Sequence, residues 1–181
     1  MNNINDLRKK SGYGWYFAVI FALILAFAVL SVFESIIVIG DSMLPNYVGG
    51  KVDSNNHITV KGDKVIVSKW YNLEYGDVVV FYNDKLQSNL IKRVIGLGGD
   101  TIEIRNNQVY RNGEKLTEEY IKEPMRWNAD HKWIVPEGYV FVMGDNRNNS
   151  EDSRGFGAID KSCIIGEVVI RITVDGRIFF V

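Results

Sequence analysis

Thr101 to Gly113 reads "TIEIRNNQVYRNG". Ile102 and Ile104 alternate with Thr101, Glu103 and Arg105, the period of a half-buried β-strand. Asn112-Gly113 then supplies two residues that accept positive φ, which is what a two-residue hairpin loop requires, and Asp175-Gly176 repeats the signal. Working outward, the same β-branched and aromatic bias marks "KVIVSKW" (64–70), "DVVVFY" (77–82), "LIKRVIGL" (90–97), "YVFVMG" (139–144), "EVVIRITV" (167–174) and "RIFFV" (177–181). No long helical stripe interrupts them. The predicted fold is therefore all-β, a barrel-like or mixed β-sheet domain spanning 34–181, with "VGGKVDSNNHI" (48–58) and "KEPMRWNADHK" (122–132) as surface excursions.

One transmembrane α-helix precedes it. Residues 12–33 carry no charge, and their core, "WYFAVIFALILAFAVLSVF", is long enough to cross a bilayer. Arg8, Lys9 and Lys10 precede this run and Glu34 follows. The positive-inside bias then puts residues 1–11 in the cytoplasm and 34–181 outside. A cleavable signal peptide would have a shorter apolar core with small residues after it, whereas "AFA" (26–28) lies inside this one. Trp15 and Tyr16 suit the cytoplasmic interface.

The 181 residues have a net charge of -1, which argues against a nucleic-acid partner. The single cysteine, Cys163, sits in an apolar run and reads as structural. The two histidines, His57 and His131, show no metal-ligand spacing, and "GDNRNNSEDSRG" puts Arg147 where a calcium loop needs an oxygen ligand. No metal and no cofactor is predicted.

Ser42, in "VIGDSMLPNY" (38–47), lies in a stretch whose Gly, Asp, Pro and Asn suffice to explain an ordinary turn. A catalytic serine needs a base. Neither histidine lies in an apolar or glycine-framed segment that would hold an imidazole in a triad. Lys92, flanked by Leu90, Ile91, Val94 and Ile95, is the lysine that burial could deprotonate, although a strand lysine alone reads as an edge residue.

Together "GDSMLP", "GDVVVFY", "LIKRVIGLGGD" and "MGDNRNNSEDSRGFG", in this order behind an anchor, resemble the type I signal peptidases, membrane-anchored serine proteases that remove signal peptides from exported preproteins. The compact chain is similar to the short Gram-positive form. The resemblance implies Ser42 as nucleophile, Lys92 as general base and Ser150 as the hydroxyl that orients the lysine amine. It also implies supporting ion pairs Asp145–Arg93 and Asp152–Arg154, with the Ser42 backbone N–H as oxyanion donor. Gly40 stands where some relatives place a second donor. The substrate would be an extended peptide cut after a small-x-small (Ala-x-Ala) site, seated against Ile36, Val38 and Met43 on one side and Asn89, Leu90 and Ile91 on the other. Implied partners are signal peptides, membrane lipid and the secretion translocon.

Trp127, Trp133 and Phe156 stand between two expectations, contact with lipid and a place in the core. The chain departs from the family pattern at Asn46, where threonine is usual, at Gly98, where proline is usual, and in the longer stretch 47–62. Two rival readings remain, and each meets an objection. A non-catalytic, membrane-anchored β-rich binding domain leaves the third motif unexplained; a self-cleaving repressor needs a DNA-binding domain where this chain has its apolar run.

Overall fold

The computed structural model describes residues 14–55, 57–127 and 129–181. Helix α1 (Gly14–Val32) has 19 residues, none buried. At about 1.5 Å per residue it is ~28 Å long, close to the thickness of a hydrocarbon layer. Among the described residues it is the one helix long and apolar enough to cross a membrane. The expected cytoplasmic segment 1–11, with its basic residues, lies outside the described residues.

The helix ends one residue before the predicted boundary, because Phe33 opens strand β1 (Phe33–Ile37). Lys69 N–H donates to Val32 O at 2.8 Å across the junction. This strand had no signal of its own, since its apolar residues continue the helical run. The chain then forms β2 (Lys51–Val52), β3 (Ile58–Val60), β4 (Lys64–Ser68), β5 (Val78–Asn83), β6 (Ser88–Leu97), β7 (Thr101–Arg105), β8 (Gln108–Arg111), β9 (Glu114–Lys115), β10 (His131–Ile134) and β11 (Tyr139–Met143). Helix α2 (Ser153–Phe156), β12 (Ile159–Asp160), β13 (Ile164–Ile172) and β14 (Ile178–Phe180) complete it.

The mostly β architecture matches the prediction. A large sheet follows the order β1-β4-β13-β5-β6-β11-β12, with β14 extending β13; a smaller one follows β10-β7-β8-β9; β2 and β3 form a ribbon. The "TIEIRNNQVYRNG" stretch makes most of the smaller sheet. Asn106-Asn107, with φ of 49° and 62°, divides it into β7 and β8, and Asn112-Gly113, at 53° and 86°, turns β8 onto β9. Both turns need positive φ at two successive residues.

Two local expectations are corrected, the Asp175-Gly176 turn and the strand-free reading of the two excursions, and the three aromatic side chains take the core position of the two expected for them. Asp175-Gly176 belongs to a three-residue loop, since Thr173 N–H bonds Arg177 O and only Gly176 takes positive φ. The 48–58 excursion holds β2 and the first residue of β3, which form an exposed ribbon, and the 122–132 excursion ends in β10, paired to β7. Trp127, Trp133 and Phe156 pack against the core.

Two apolar clusters cover the opposite faces of β5. Val78, Val80 and Ile91 join Val38, Met43 and Tyr47, while Val79, Phe81 and Val94 join Val140 and Val142. Strand β6 is covered on its faces and gains β11 as a second neighbour from Arg93 onward, so Lys92 is buried and Arg93 mostly so.

Candidate active site

Ser42 is carried on the turn that follows β1. Gly40, at φ 79°, reverses the chain there, and Gly49 packs backbone to backbone against it, leaving no room for a Cβ. The turn is stitched to the 144–154 loop. Asn146 N–H donates to Ser42 O at 2.9 Å, and Asn146 Nδ2 donates to Asp41 O at 2.9 Å. The Ser42 backbone N–H donates to no acceptor among the described residues, so it is free for an incoming oxygen.

Lys92, on β6, is 2% exposed, and its Nζ lies 2.8 Å from Ser42 Oγ and 2.8 Å from Ile91 O. Burial lowers its pKa from 10.5 to about 8; the charges of Asp152 and Asp145 oppose that shift without bonding to the amine. A hydroxyl and a partly deprotonated amine in contact are the parts of a serine nucleophile and its base. His57 lies beside Asp53 and His131 beside Trp133. Neither bonds Ser42.

Around this pair lie buried charges. Asp145 accepts two bonds from Arg93, at 2.8 and 2.7 Å, and Arg93 also bonds Gly76 O. Asp152 accepts two from Arg154, at 2.7 and 2.8 Å, and one from Gly144 N–H at 3.0 Å. The geometry thus joins Asp145 to Arg93 and Asp152 to Arg154. A third pair, Arg147–Glu118, was not foreseen; it is bidentate at 2.8 and 2.6 Å, and Arg147 also donates to Gly144 O. Glu118 had no local signal, and Asn146, inside the third motif, was passed over.

Two predicted positions are corrected. Ser150 was expected to bond the lysine amine, but its hydroxyl donates to Asp152 Oδ2 at 2.8 Å, the ionised acceptor two residues along the same loop. Ser150 packs directly on Gly144, where a Cβ would also meet Ser42 O at 2.6 Å, so it buttresses the site. Met43 was expected to touch substrate but is wholly buried under the turn, in the cluster with Val38 and Tyr47.

The other predicted substrate positions converge. Ile36, Val38, Asn89, Leu90 and Ile91 line a cavity of about 220 Å³ that opens beside Ser42 and Lys92, with Val65 and Val80 among its walls. Among the described residues, 88–92 of β6 pair only with β5 and β1 pairs only with β4, so each presents a free edge to this cavity.

The signal peptidase family model, peptidase S26, matches residues 13–173. The chain belongs to this family. Signal peptidase I P of Bacillus subtilis subsp. natto is 38% identical to this signal peptidase family member over 89% of each chain. Signal peptidase I S of Bacillus subtilis strain 168 is 35% identical over 92% of this chain and 91% of its own. A crystal structure of a signal peptidase I from Enterococcus faecalis V583 is 31% identical, covering 53% of this chain and 96% of its own with a TM-score of 0.47. The matched span includes Ser42, Lys92 and the three ion pairs described around them.

Proposed function

We propose that this signal peptidase family member is a membrane-anchored serine endopeptidase that cuts signal peptides from secretory preproteins after small-x-small sites, using Ser42 and Lys92. The observation that carries the reading is the 2.8 Å approach of a buried lysine amine, with no bonded carboxylate among the described residues, to a serine hydroxyl at the mouth of an apolar cleft. Neutral Lys92 takes the Ser42 proton as Oγ bonds to the scissile carbonyl carbon, and the free Ser42 N–H receives the resulting oxyanion. The C–N bond then breaks with the lysine proton passing to the leaving amine. Water, deprotonated by the same lysine, hydrolyses the ester and regenerates both side chains.

The cleft suits the substrate's shape. From β1 to β6 the large sheet takes four antiparallel steps, so the two strands that flank the cleft run in the same direction. An extended peptide between their free edges gains backbone hydrogen bonds on both sides, as in strand addition. Ile36, Val38, Leu90 and Ile91 give the cleft apolar walls around a volume of about 220 Å³, which suits small apolar side chains.

Helix α1 is the anchor, with 1–11 cytoplasmic and 34–181 extracytoplasmic. In support, Phe33, Ile37, Ile178 and Phe180 are exposed on the sheet beside it, and Trp70 is 85% exposed. A full-length precursor with an Ala-x-Ala site, mixed with the detergent-purified protein, should be cut after the second alanine. Retention of cutting by Ser42→Ala would overturn the dyad, and protease protection of 34–181 in right-side-out vesicles would overturn the topology.

A further inference from the structure

We propose that Asn46 is a positioning residue that sets Ser42 against Lys92. It lies four residues after Ser42, and its amide uses both donor hydrogens on other segments. Nδ2 donates to Asp145 Oδ2 at 2.8 Å and to the backbone oxygen of Tyr120 at 2.6 Å. Asp145 is wholly buried and held by Arg93, the neighbour of Lys92 on β6. A continuous chain of contacts therefore runs from the nucleophile turn through Asn46, Asp145 and Arg93 to the base. The direct contact between Ser42 and Lys92 closes it into a ring.

Tyr120 gives the second attachment its rigidity. Its ring lies under the Arg93 guanidinium, 4.5 Å from the centroid, with Arg147 at 5.9 Å. Its hydroxyl donates to Glu118, which Arg147 grips with two bonds. Segment 118–122 is thus a strap fixed at Glu118 and, through Lys122 N–H on Asp145 O, at its other end. Asn46 ties the serine turn to the middle of that strap.

A threonine here has one hydroxyl donor and can replace only one of the two bonds, so this chain's asparagine makes a firmer tie. The acceptors that lose a partner would be a buried carboxylate and a backbone carbonyl, both costly to leave short of donors. A turn displaced by a fraction of an ångström separates nucleophile from base, and misplacement on the order of 1 Å can reduce turnover about 100-fold.

The proposal rests on the peptidase reading, and its test separates the two. Cleavage of a soluble Ala-x-Ala peptide is measured for the unmodified protein, Ser42→Ala, Asn46→Ala, Asn46→Thr and Asn46→Val, with a melting curve for each. Expected is a fall in kcat of about 10- to 100-fold for Asn46→Ala with KM changed by less than about twofold, at temperatures where the variant is folded. Threonine and valine have nearly the same shape, so Asn46→Thr should turn over faster than Asn46→Val even if the alanine variant melts early. Equal kcat in the threonine and valine variants, or a loss confined to KM, overturns the positioning role while the peptidase reading stands. No cleavage by the unmodified protein overturns both.

Discussion

Lys92 and Arg93 are neighbours on one strand, both enclosed, and their electrostatics are opposite. Lys92 has a hydroxyl and a carbonyl for partners, and burial lowers its pKa to about 8. Burial also works against the charged form of Arg93, but the bonds and charge of Asp145 outweigh it and its pKa is raised. A directly bonded carboxylate is the difference. On β6 it separates a cation that holds structure from an amine with a lone pair to use.

The largest expected effect removes one side of this comparison. Ser42→Ala and Lys92→Ala should each lower precursor cleavage by roughly four or more orders of magnitude, as loss of a member of such a unit does, with Ser42→Ala still melting near the parent temperature. Asp145→Ala leaves the Arg93 charge unpaired and should cost about 3–5 kcal/mol in denaturant titration.

Lys92→Met should instead stabilise. The folded-state pKa of Lys92 lies below its ordinary 10.5, so the native protein binds this proton less well than the unfolded chain does. Its stability contribution declines as pH falls from about 10.5 to about 8 and is constant below that. The gain from Lys92→Met should therefore be full below pH 8 and fade towards pH 10.5, opposite in sign to the effect of Arg93→Met, as two denaturation series would show.

Activity follows the same proton. The cleavage rate should rise about tenfold per pH unit below the pKa of about 8 and level off above it; a rate that falls from pH 6 to 9 excludes a lysine base. The smallest effect concerns Ser150. Removing its hydroxyl takes one donor from Asp152, whose less neutralised charge favours protonated Lys92, so Ser150→Ala should move the acid limb of the pH–rate profile upward by a fraction of a unit.

Much of this was legible because strand alternation and paired turn residues are local. Ile102 and Ile104 announced a half-buried strand, and Asn112-Gly113 its turn. β1 was illegible because Phe33, Ile36 and Ile37 extend an apolar run whose helical part masks the boundary. At the site, the resemblance brought Ser42, Lys92 and two of the ion pairs to notice, and the structure joins them. Glu118 and Tyr120 had no signal, and Asn46 stood out only as a departure from the family pattern, because their work is long-range: Arg147 meets Glu118 and Asn46 meets Asp145 only after the sheet has folded. Met43 misled for the opposite reason, since adjacency in sequence to Ser42 says nothing about which side of the turn faces the cleft.

Between Val32 and Phe33 the backbone passes from helix to strand without a linker, and β1 is locked to β4 along its full length. Strand β1 itself lines the cleft through Ile36, the fourth residue past Val32, so at about 3.3 Å per residue the cleft begins ~13 Å beyond the end of the helix. A domain on a loose cord would sample many heights and tilts above a bilayer. In the anchored state proposed above, this junction would act as a post, holding the cleft at one altitude to which a precursor would bring its cutting point.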